Sequence, residues 1–98
     1  MVKHIFVGSI KKGVAEEKVD EKINALRLLE ENVPEIIQLT VGKNLGWYGT
    51  ENAITLVADF KNKEDWNAFI NNPYHVQLNA VASEVFDLSA STAAQIEF

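Results

Sequence analysis

The stretch Val2 to Ile10 (VKHIFVGSI) alternates as a strand, yet neither of its faces is plainly polar between its ends. Val2, His4, Phe6 and Gly8 fall on one side, and Lys3, Ile5, Val7 and Ser9 on the other. A strand with one solvated face would show a polar residue at every second position. This one is expected to be covered on both sides. The rest of the chain must supply two covering layers or recruit one.

The remaining periodicities give the order of elements. Val19, Ile23, Leu26, Leu29 and Val33 recur at helical spacing, which predicts a helix over 15–32 with Glu16, Glu17, Asp20, Glu21 and Lys22 elsewhere on the wheel. Pro34 ends it, because the residue before a proline is pushed out of the α region. Strands follow over 35–44 and 52–60, joined by the glycine-rich loop 42–49. Trp47 and Tyr48 at its tip are expected to cover a pocket or to meet a second chain. Asn62 caps a helix over 63–71 that presents Trp66, Phe69 and Ile70. Asn72-Pro73 restarts a helix expected to run to Phe86, with His75, Leu78, Ala82 and Val85 along one stripe. A last strand spans 91–98.

Strand, helix, strand, strand, helix pair, strand is the split βαβ order. It predicts an α+β, ferredoxin-like fold: one domain over 1–98 with a four-stranded antiparallel sheet and helices on one face. The helices leave the second sheet face bare. The economical cover is another copy of the chain, sheet against sheet, which makes a dimeric α+β barrel.

Composition excludes several functions. A 98-residue chain with net charge −5 and scattered basic residues lacks the footprint of a nucleic-acid binder. No apolar run approaches the roughly 20 residues of a membrane span. With no cysteine there is no disulfide framework and no thiolate metal site. These features, and an N-terminus without a signal-peptide pattern, lead to the expectation of a cytoplasmic protein.

Chemistry then rests on the two histidines, His4 on the first strand and His75 two residues after Pro73. An imidazole suits proton abstraction near neutral pH. His75 lies in the first turn of its helix, where the dipole favours the neutral ring. It is equally placed to bond a backbone carbonyl freed by Pro73 and so close the helix junction. Two histidines make a poor zinc site without a third ligand such as Asp59, and no metal is assigned. Phe6, Gly8, Leu26, Val57, Trp66, Phe69, Tyr74 and Leu78 are the candidate pocket residues. Gly8 would leave room at the pocket floor. The apolar ones serve equally as ordinary core.

Three short motifs, in order and at matching separations, resemble the stress-responsive A/B barrel (Dabb) family. They are Val2-Lys3-His4-Ile5, Val41-Gly42-Lys43-Asn44 and Asn72-Pro73-Tyr74-His75-Val76. The resemblance covers nearly the whole chain and implies a homodimeric barrel. Its best-understood catalytic relative, olivetolic acid cyclase, closes a ring on a linear polyketide thioester without a cofactor. Carried over, that mechanism makes His75 the base and His4 its strand partner. Phe69 stands where the cyclase has a tyrosine, and Asn72 where the family commonly has a histidine.

The expected function is binding, and cofactor-free proton transfer on, a small hydrophobic or aromatic carbonyl compound, with His4 or Tyr74 as the orienting partner. A non-catalytic structural or stress-response dimer is the alternative. A cofactor-free monooxygenase-like barrel is a further one.

Overall fold

The computed structural model describes residues 1–98. Four strands, β1 (Val2–Ser9), β2 (Gln38–Lys43), β3 (Ala53–Phe60) and β4 (Thr92–Glu97), form one sheet in the order β2-β3-β1-β4. All three pairings are antiparallel. Helix α1 (Glu16–Arg27), its short continuation α2 (Leu29–Asn32), α3 (Lys63–Asn71) and α4 (Pro73–Ala80) complete the ferredoxin-like fold. No helix is long and apolar enough to cross a membrane.

The helix expected over 15–32 is present with one irregularity. Leu28 keeps helical angles (φ −70°, ψ −10°) between α1 and α2, and Val33 turns extended ahead of Pro34. The helix expected to continue to Phe86 is shorter. It ends at Ala80, and a 3-10 turn over Ala82–Glu84 carries the chain onward. The second strand is also shorter than expected. Ile36 leaves the strand and is buried, while Ile37 is 55% exposed.

Strand parity sorts the sheet faces. His4, Phe6 and Gly8 of β1 stand opposite Ala58, Leu56 and Ile54 of β3. These six point toward the helices, where Leu26, Leu29, Phe60, Phe69 and Phe86 complete the buried core. Lys3, Ile5 and Val7 stand opposite Asp59, Val57 and Thr55 on the other face, which no helix covers. There Ile5, Val7 and Val57 are only half-buried. Lys3 Nζ donates to Asp59 Oδ1 at 2.8 Å on that same face.

Two candidate pocket residues are therefore corrected. Val57 lies on the open face, across the sheet from the core. Gly8 faces the core but opens no pocket floor, because Phe86 and Phe6 fill the space beside it. A Cβ at Gly8 would stand 2.5 Å from Phe86 Cε1 and 2.7 Å from Phe6 Cε2. Glycine is there to admit the edge-to-face Phe6–Phe86 pair, whose ring centres are 5.4 Å apart. Gly8→Ala is expected to destabilise the fold by about 1–3 kcal/mol through overpacking, seen as a lowered urea midpoint with an unchanged slope.

Candidate functional site

The site is built around the break between α3 and α4. Asn62 Oδ1 caps α3 by accepting from Asp65 N at 2.9 Å. Asn72 caps α4 in the same way, accepting from Tyr74 N at 2.9 Å. That bond diverts Tyr74 N from Ile70 O, its partner in an unbroken helix. The His75 ring fills the vacancy, its Nδ1 lying 3.1 Å from Ile70 O. A carbonyl can only accept, so Nδ1 carries the proton. In a neutral imidazole Nε2 then holds a free lone pair.

His4 has the opposite arrangement. Trp66 Nε1–H donates to His4 Nδ1 at 3.2 Å. The indole N–H has no acceptor capacity, so His4 Nδ1 must be unprotonated and Nε2 carries the hydrogen. The Gln95 amide, 3.0 Å from the same Nδ1, acts as a second donor. Burial pushes the His4 pKa down to about 4, and the nearby His75 adds to the shift. Burial also lowers the pKa of His75, with the Ile70 bond acting in the opposite direction. Both rings are neutral at pH 7.

The two imidazoles line one cavity of about 100 Å³ between sheet and helices. Phe69 stands between them, its ring centre 5.5 Å from that of His4 and 4.3 Å from that of His75. Phe6, Leu26 and Leu78 line it as well, giving walls that are mostly apolar. The volume is below the roughly 300 Å³ of ordinary ligand pockets, so it admits only a small molecule.

The remaining expected residues sit elsewhere. Trp66 is behind His4, acting through its hydrogen bond. Tyr74 points away, its hydroxyl donating to Ala25 O at 2.6 Å and tying α4 to α1. It is therefore no orienting partner for His75 within the chain. Asp59 is across the sheet, paired with Lys3, and cannot join the histidines. Trp47 and Tyr48 form no lid. They are 87% and 102% exposed and flank a hollow whose floor includes Thr55 and Val57 on the open face.

Sequence reasoning missed several residues of the cavity wall, among them Lys22, Asn79 and Phe86, and Gln95 behind His4. Lys22 had a usable signal. It sits three residues after Val19 and four before Leu26, on the edge of the apolar stripe rather than elsewhere on the wheel. Gln95 had none, because its place follows only from the β1–β4 register that sets it opposite His4.

The profile of the stress responsive A/B barrel domain, Dabb, matches residues 2–94. The chain belongs to that family. No curated protein matches the sequence. Among solved structures, this Dabb chain is similar to a dimeric ferredoxin-like protein of unknown function from Thermobifida fusca (23% identity, TM-score 0.85, covering 99% of this chain and 90% of that one). A dimeric protein of unknown function and ferredoxin-like fold from Bacteroides fragilis is 25% identical, with TM-score 0.81 and coverage of 99% and 95%. A hydroxynitrile lyase from Passiflora edulis shares the fold at 16% identity, TM-score 0.84 and coverage of 97% and 90%.

Acid should expose the buried neutral state of His4. The unfolded chain takes up a proton there below the ordinary value of 6.5, and the folded chain only near 4. Between these values the unfolded state binds more protons, so stability is full above pH 6.5 and falls as pH falls toward 4. Thermal melts across this window should show that loss, and His4→Gln should reduce it, leaving the part of the same sign that the lowered His75 contributes.

Proposed function

We propose that this Dabb protein is a homodimer whose cavity binds a small hydrophobic or aromatic carbonyl compound and moves a proton next to its carbonyl. The observation that carries the reading is the complementary protonation of two imidazoles on one apolar cavity. His75 offers the Nε2 lone pair as base. His4 offers Nε2–H as a donor to the carbonyl oxygen as negative charge develops. Apolar walls strengthen both interactions by excluding water. Abstraction next to a carbonyl needs a base and a donor, so the reading invokes no cofactor.

Support for the dimer comes from the uncovered sheet face. Ile5, Val7 and Val57 form an apolar centre, and the exposed Trp47 and Tyr48 stand beside it. Two solved structures of similar fold are described as dimeric. A second copy across this face would cover these side chains, and the Trp47–Tyr48 loop would meet the partner. Wild type should sediment as a dimer at micromolar concentration, and Val57→Lys as a monomer. A monomeric wild type would contradict the assembly.

The chemistry is tested by hydrogen–deuterium exchange of the α-protons of cyclohexanone and acetophenone in D2O. Wild type should accelerate exchange of at least one ketone, and His75→Ala should lose about 100-fold or more of that acceleration. Because burial favours the base form of His75, the midpoint of the acid fall in the wild-type rate should lie below the ordinary imidazole value of 6.5. Exchange no faster than buffer for both ketones would sink the reading.

A further inference from the structure

The polar residues Lys22 and Asn79 line the cavity and have no part in the proton-transfer reading, and of the two only Lys22 is charged. Lys22, on α1, is only 7% exposed and lines the same cavity as the two imidazoles. A lysine this buried is normally held by a carboxylate. Here no carboxylate oxygen lies within 4 Å of it, since the only ion pairs are Lys3–Asp59 and Lys18–Glu21. Its one hydrogen bond is long, from Nζ to Leu78 O at 3.3 Å. The Phe86 ring, 5.8 Å away, adds a weak cation–π contact. An ammonium has three protons to give, and two have no acceptor in the chain.

Burial pushes the Lys22 pKa down, while Glu84, which lines a second and open hollow together with Glu21 and Lys22, acts in the opposite sense. The buried charge is thus poorly compensated, and a ligand anion in the cavity would compensate it. Position specifies the ligand further. Lys22 is bonded to Leu78, which lies three residues after His75 on α4. The ammonium and the His75 ring therefore meet the cavity beside neighbouring turns of α4. The net charge of −5 gives the protein no general attraction for anions, so recognition would be local to this ammonium.

We infer that Lys22 is the anion-recognition group of the cavity, and that the natural ligand is a small oxo acid. Its carboxylate pairs with Lys22, and its carbonyl lies by the two imidazoles. The ammonium selects the acid over neutral ketones of the same size and fixes which end faces His75. This inference rests on the reading of the cavity as the substrate site.

Benzoate and benzamide, matched in shape and different in charge, separate the two ideas. Binding is followed by NMR titration of the His4 and His75 ring signals in wild type, Lys22→Met and Lys22→Gln. Wild type is expected to bind benzoate at least tenfold more tightly than benzamide. Either folded variant should bring that ratio close to one while benzamide binding persists. Equal affinities in wild type, or a preference for benzoate that survives in either variant, would overturn the role of Lys22 and leave the cavity standing. If neither compound moves the ring signals, the substrate-site reading falls together with the inference built on it.

Discussion

The backbone of β1 is committed on both edges, to β3 on one side and β4 on the other. Its side chains are left with two directions only, toward the helices or toward the open face. A slip of one residue would exchange the two sets and carry His4 out of the core. The register also supplies the neighbours His4 needs. Ala58, directly opposite on β3, is small enough to leave the ring room. Gln95, directly opposite on β4, brings an amide to Nδ1. Everything proposed for the cavity starts from this double pairing.

From there the placement of two protons follows by hydrogen-bond logic. Trp66 can only give a proton and the Ile70 carbonyl can only take one. One ring is therefore left with N–H and the other with a lone pair. His75 joins two roles that the sequence presented as alternatives. It closes the helix junction by satisfying Ile70 O, and that bond orients the ring in the cavity wall. Asn72 shows a similar economy, since it caps α4 and its Nδ2 donates to Asn32 O at 3.1 Å, holding the junction against the end of α2. Where the resemblance implies a histidine, this chain uses an amide to build structure.

Phe69 changes the chemistry the cavity can support. Where the resemblance to the cyclase implies a tyrosine, it contributes only an apolar ring between the imidazoles. The hydrogen bond that a phenol would give must come from elsewhere. In the proposed reaction His4 Nε2–H is the donor to the carbonyl, and Lys22 is the one cation in the wall. A cavity with a base, a donor and an ammonium is differently equipped from one with a base and a phenol, though the surrounding fold is the same.

Much of the fold was legible in the residues. Period-two and helical spacings gave the element order, Pro34 and Pro73 marked breaks, and Asn62 and Asn72 announced their caps. His4 and His75 stood out because they are the only imidazoles. Parity alone did not say which side of β3 faces the helices, because both sides are apolar, and so Val57 was placed on the wrong side of the sheet. Gly8 read as empty space, although a distant ring fills it. Tyr74 and Trp66 read as pocket residues, but neither lines the cavity, and their polar atoms bond α1 and β1, which no local pattern encodes. The sequence by itself determined the order of elements, the helix junction and the two candidate rings, since these depend on local spacing and backbone sterics. Only the tertiary structure decided the tautomers, the buried Lys22 and the members of the cavity wall. Each of those depends on which atoms from separate elements come within hydrogen-bond or packing distance.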